Sequence, residues 1–251
     1  MSGHSKWHSI KHQKAATDAK RGNLFTKLTR EIIVAVRKGG PSPDTNYTLR
    51  LAVQRAKDSS MPYENISRAI DKGAGTAEGM QLQEMVLEGY GPGGAAILVQ
   101  ALSDNRNRTV QNVRNVFTRG GGSLGESGCV AWLFDNKGVI SINPGKRDVD
   151  ELGLLAIDAG ADDVVVEKDF VTVYTAPSKL EEVRVILERN DIPIESAEVT
   201  MVAKQTLDLD EKAAIQTLKM IDNLEELDEV RAVSTNVNFS DAALNAYAEA
   251  K

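Results

Sequence analysis

All three histidines of the chain, His4, His8 and His12, stand in its opening stretch, MSGHSKWHSIKHQKAATDAKRG, among Lys6, Lys11, Lys14, Lys20 and Arg21. A spacing of four drifts by only about 40° per step around a helix, so three imidazoles can share one face, which is the geometry of a metal site. The surrounding chemistry argues against it. Ser5 stands where a zinc motif of the H-E-x-x-H type wants glutamate, no cysteine or acidic partner lies nearby, and the lysines repel a cation. Two readings remain: a mobile polar terminus, and an arm for a polyanion. In the second, the cations meet phosphates, the histidines add donors and Trp7 offers a stacking face.

Other stretches carry the letters of a catalytic motif without its context. GYGPGG, from Gly89 to Gly94, has the spacing of a dinucleotide loop, but its glycines lead into AAILVQAL, a strand-like run rather than a helix. A hairpin turn accounts for it better. Gly120, Gly125 and Ser127 sit at the spacing of a phosphate loop, yet Glu126 takes the place of the phosphate-binding lysine and the loop follows a helix instead of a strand. Arg106, Arg108, Arg114 and Arg119 are close to this loop in sequence, and Arg119 suits the C-terminal dipole of its helix. The single cysteine, Cys129, lies in an apolar run far in sequence from any histidine, so nucleophilic catalysis has no visible constellation. The expectation is a protein that is not an enzyme, with no metal, no cofactor and no small-molecule substrate.

Charge gives the strongest lead. The chain has 251 residues and a formal charge of -6, but the first 75 residues hold 14 Lys or Arg against 6 Asp or Glu, a balance of +8. The remainder therefore stands at -14. A basic head on an acidic body points to one surface for a polyanion. Lys27, Arg30, Arg37 and Lys38 extend the arm's cations along the first helix, completing a candidate site of Lys6, Trp7, His8, Lys11, His12, Lys14, Lys20 and Arg21 with those four. Aromatic residues are only 5% of the chain, and no RNP1-like aromatic string occurs, so shape or backbone recognition is expected rather than base stacking. One cysteine precludes an internal disulfide and suits a reducing compartment. No run approaches the roughly 18 apolar residues of a membrane span. A cytoplasmic protein without a membrane partner is expected.

The elements that must carry these residues follow from periodicity. Leu24, Leu28, Ile32 and Ala35 recur at helical spacing with Lys27, Arg30, Arg37 and Lys38 opposite, which predicts an amphipathic helix with a cationic outer face, ended by KGGPSPDTN. Leu49, Ala52, Val53 and Ala56 mark a second helix. MPYENISRAIDKG marks a third, with Gly73 as its stop. EMVLEGYGPGGAAILVQAL then reads as a β-hairpin, RNRTVQNVRNVFTRGGG as a helix with Val110, Val113 and Phe117 inward, and CVAWLF as a buried strand. Residues 138–201 give strand, helix, strand, strand, helix, strand, the βαββαβ set of a ferredoxin-like unit. The predicted fold is α+β: a three-helix N-terminal domain (1–75) followed by two ferredoxin-like α/β domains. Of these, 138–201 is inserted into a discontinuous unit of 76–137 and 202–240, and 241–251 remains as a C-terminal tail.

Four motifs in order, MSGHSKWHSIKHQKAATDAKRGNLFTKLTREI, EGYGPGG, DNRNRT and GGSLGESGCVAWLF, resemble those of the YebC family of transcriptional regulatory proteins, and the likeness covers essentially the whole chain. The resemblance implies three domains, the last inserted into the middle one, in a cytoplasmic, non-enzymatic DNA-binding regulator. It also implies an alternative: relatives in bacteria and mitochondria are associated with translation, including ribosomes stalled on proline-rich segments, which would make the partner the ribosome and its rRNA. It carries no catalytic residues over. Charge serves either ligand and does not choose between DNA and ribosomal RNA.

Overall fold

The computed structural model describes residues 18–75, 82–145, 147–166 and 170–249, with 18–21 as backbone alone. Three helices come first: α1 (Asp18–Gly39), α2 (Tyr47–Asp58) and α3 (Tyr63–Ala74). Their apolar stripes meet in a core of Leu28, Ile32, Leu49, Ala56, Ile66 and Ala69. Buried Asn46 pins the α1–α2 turn. Its Oδ1 accepts from the Leu49 N–H at 3.0 Å, capping α2, while its Nδ2 donates to the carbonyls of Ala35 and Gly40, each at 2.8 Å. Gly73, expected to stop the third helix, lies inside it. A Cβ there would stand 2.7 Å from the Cβ of Val36, so glycine is what lets α3 approach α1, and the helix ends at Ala74.

The rest of the chain runs β1 (Gln83–Tyr90), a 3-10 turn (Pro92–Gly94), β2 (Ala96–Ser103), α4 (Arg106–Arg119), β3 (Ser123–Leu124), β4 (Phe134–Ile142), α5 (Val149–Asp158) and β5 (Asp163–Val166). It continues through β6 (Val171–Thr175), α6 (Leu180–Arg189), β7 (Ile194–Ala203), β8 (Leu207–Asp208), α7 (Glu211–Glu225), β9 (Val230–Thr235), β10 (Val237–Asn238) and α8 (Asp241–Glu249). Two antiparallel sheets result, ordered β3-β1-β2-β9 and β5-β6-β4-β7. The second is a βαββαβ unit in the ferredoxin-like strand order, and its segment falls between β3 and β9 of the first. The architecture is α+β, as expected: a three-helix N-terminal domain followed by mixed helix and sheet units.

Strand β2 is covered on both faces. Ile97, Val99 and Ala101 meet Val113, Phe117, Leu218 and Ile221 of α4 and α7, while Ala96 and Leu98 meet Val130 and Phe134 on the other side. Helices α4 and α7 therefore lie side by side over one face of the first sheet, with their outer surfaces turned away from it. The expected strand CVAWLF is instead a 3-10 turn, Ala131–Leu133, because the N–H groups of Val130 and Ala131 go to a carboxylate rather than to a strand. The expected tail is largely helix α8. Its Ala243, Leu244 and Tyr247 join the core, and the tyrosine hydroxyl donates to Asp222 of α7.

Candidate nucleic-acid interface

Six of the sequence-nominated site residues, Lys6, Trp7, His8, Lys11, His12 and Lys14, lie with His4 outside the described residues. Lys20 and Arg21 fall in the first turn of α1, where the backbone alone is described. For the remaining four the structure gives a more specific answer than the periodicity. Lys27 is partly buried and its Nζ donates to the carbonyl of Glu225; Arg30 reaches the carbonyl of Asp228 at 2.5 Å, and Asn23 that of Glu226 at 2.9 Å. These carbonyls are at and just past the C-terminus of α7, whose own last turn has no basic residue. A helix end leaves carbonyls without intrahelical partners and a partial negative charge, so cations from α1 complete the end of α7. Lys38 pairs with the Glu84 carboxylate of β1, and Arg37 is exposed in the last turn of α1.

Burial sets the character of Lys27. Removal from water pushes its pKa down from 10.5 to about 8, against the opposing pull of Asp228 and Glu31. Its ammonium is engaged by the end of α7.

A second set of ions closes the same junction. Glu31 of α1 accepts from Arg55 of α2 at 3.3 Å and faces Arg231 of β9 at 3.6 Å, while Arg55 also meets Glu198 of β7 at 3.3 Å. One network thus touches the helical domain and both sheets, at the edge of a cleft of about 260 Å³. Glu31 holds the Arg55 pKa above its ordinary value, outweighing the burial that opposes it, with Glu198 adding to the rise. Tyr47 adds a neutral tie, its hydroxyl donating to the Pro177 carbonyl at 2.8 Å.

Helix α4 is built differently. Its start is fixed by DNRNRT: Asn105 Oδ1 accepts from the Arg108 N–H at 3.0 Å, and Ser103 Oγ accepts from the Asn105 N–H at 2.9 Å and from Thr109 Oγ1 at 2.7 Å. Arg108 is held by Asp104 at 2.7 Å and Glu229 at 3.3 Å. Arg106, Arg114 and Arg119 are exposed, and no ion pair to a carboxylate of the described residues engages them. The helix contains no Asp or Glu. Periodicity had placed its apolar stripe inward; the legible signal for its outer face was an arginine-rich run without an acid.

The glycine loop after α4 already holds an anion. Glu88 of β1, 4% exposed, accepts N–H donors from Gly128, Val130 and Ala131 at 2.7, 2.8 and 2.7 Å. Burial pushes its pKa up, but the three donors prevail and hold it below the usual carboxylate range. The phosphate-loop spacing therefore frames an internal carboxylate. Next to it, burial and the Glu88 charge push the Cys129 thiol up, away from the thiolate needed for nucleophilic chemistry. The Cys129 carbonyl accepts from the Tyr90 hydroxyl at 3.0 Å and from Trp132 Nε1 at 3.1 Å, leaving the Trp132 ring 65% exposed.

Comparison with known proteins agrees with this architecture. Residues 5–76 match the model of the TACO1/YebC protein N-terminal domain, and residues 82–237 that of the TACO1/YebC second and third domain. A probable transcriptional regulatory protein of Dehalococcoides mccartyi is 56% identical over 247 residues, covering 98% of each chain. One of Herpetosiphon aurantiacus is 50% identical over 250 residues, covering 99% of each. The crystal structure of a conserved hypothetical protein from Aquifex aeolicus superposes with a TM-score of 0.84 at 48% identity, over 92% of this chain and 96% of that one. With nearly all of its length matched both in sequence and in three dimensions, the chain belongs to the TACO1/YebC family of regulatory proteins.

Proposed function

We propose that the protein is a non-enzymatic regulator of gene expression that acts by binding nucleic acid. The observation that carries this reading is the separation of charge, +8 over the first 75 residues against -14 over the rest. The names of the relatives support a role in transcription, and in that role the ligand is DNA. Phosphate contacts come from the arm, through Lys6, Lys11, Lys14, Lys20 and Arg21, with Trp7, His8 and His12 beside them. Lys27, Arg30 and Lys38 serve chiefly to seat the arm's helix on the body.

A second reading, action on RNA in translation, is favoured by the shape of the α4–α7 layer, which presents a broad helical surface rather than one projecting helix. Sequencing nucleic acid crosslinked to the protein in cells separates the two. Reads concentrated at promoters support the first and reads concentrated in ribosomal RNA the second. In vitro, about five phosphate contacts should make affinity fall roughly several hundredfold between about 50 and 200 mM salt. No binding to either DNA or RNA by the intact chain would overturn the proposal.

A further inference from the structure

Helix α4 turns Asn107, Gln111, Arg114, Asn115 and Thr118 to solvent, and α7 turns out Lys212, Gln216, Lys219 and Asn223. The two helices are in contact, with Gly120 at the end of α4 lying against Met220 of α7. Together they form one surface of guanidinium, ammonium and amide groups. Among the described residues α4 contributes no carboxylate, and those of α7 lie toward its two ends: Glu211 at the start, then Asp222, engaged by Tyr247, and Glu225, with Glu226 just beyond. On a chain whose last 176 residues carry a balance of -14, such a surface is an exception that needs a reason.

We infer that the outer face of α4 and α7 is a docking surface for the backbone of double-stranded, A-form RNA; this rests on the nucleic-acid reading above and gives it a second site. Three features select the ligand. Neither outer row carries an aromatic residue, so the face offers no platform on which single-stranded bases could stack. Two helices packed about 8–10 Å apart, each about 10 Å across, make a face close to 20 Å wide, too broad for the roughly 12 Å major groove of B-DNA that admits a single helix. The minor groove of A-form RNA is wide and shallow and displays 2′-hydroxyls between the phosphates. Arg114 and Lys219 supply charge for the phosphates. Gln111, Asn115, Gln216 and Asn223 supply donors and acceptors for the hydroxyls.

The test uses the full chain, with a labelled RNA hairpin and a DNA hairpin of matching sequence as probes. Arg114→Glu with Lys219→Glu is compared with Lys179→Glu with Arg189→Glu, a pair on the inserted domain with the same change of net charge. The first pair should weaken RNA binding at least tenfold and flatten the log–log salt slope by about 2, while the second leaves both near wild type. Gln111→Ala with Asn115→Ala should narrow the preference for RNA over DNA. If wild type binds and the two charge-reversed proteins weaken equally, the surface is wrong and the nucleic-acid reading stands. DNA binding as tight as RNA binding, lost equally in the first pair, overturns the choice of RNA. If wild type binds neither probe, both proposals fall.

Discussion

Helices α1 and α4 are both rich in arginine and lysine, and the fold uses them in opposite ways. Lys27 and Arg30 of α1 reach inward to the carbonyls that end α7, and Lys38 pairs with Glu84. In α4, Arg108 is tied to Asp104 and Glu229, while Arg106, Arg114 and Arg119 face outward. A cation on the polar side of an amphipathic helix is therefore not yet a cation in water. Which it becomes depends on whether another domain covers that side.

The contrast can be broken most severely at the junction that seats α1. Arg55→Ala leaves the Glu31 and Glu198 side chains, 9% and 15% exposed, facing each other without their shared partner. It should cost about 3 kcal/mol, the scale for removing one member of a buried ion pair. Thermal unfolding measures the loss, and a drop under about 1 kcal/mol would mean that the network does not hold the domains together.

Lys27→Ala with Arg30→Ala removes two charged donors from the end of α7 and should cost about 2 kcal/mol. Its pH dependence sharpens the point. Because folding lowers the Lys27 pKa from 10.5 to about 8, the unfolded chain holds a proton between those values that the folded chain has released. Stability from this group should thus rise as pH rises through that window and stay level below it. Lys27→Met should flatten the rise in denaturation curves taken between pH 7.5 and 10.

Asn105→Ala removes the cap of α4 and should cost about 1 kcal/mol, seen as a small fall in the unfolding midpoint. Smallest of all, Arg114→Ala with Arg119→Ala should change stability by less than about 0.5 kcal/mol, since neither side chain carries packing or an ion pair among the described residues.

The elements were largely legible in the sequence because apolar periodicity reports local structure: Val113 and Phe117 point inward in α4 as their spacing requires. What stayed hidden were contacts made across long stretches of chain. Lys27 meets a carbonyl 198 positions away, and no local pattern marks that. Gly73 looked like a helix stop because the closeness of Val36 is a tertiary fact. CVAWLF looked like a strand because its apolar residues are strand formers, but Glu88, forty-odd positions earlier, takes the N–H groups that a strand would use. The tail escaped notice for another reason. Its apolar residues are mostly alanines, whose small side chains give a weak periodic signal, and only docking against α7 shows that Leu244 and Tyr247 belong to a core.

Duplex affinity and thermal stability, measured side by side for Lys27→Ala/Arg30→Ala and for Arg114→Ala/Arg119→Ala, bear most directly on the division of labour between α1 and α4. The first protein should lose stability and keep most of its affinity, and the second should keep stability and lose affinity. Equal loss of affinity in both, or a loss confined to the first, would contradict it.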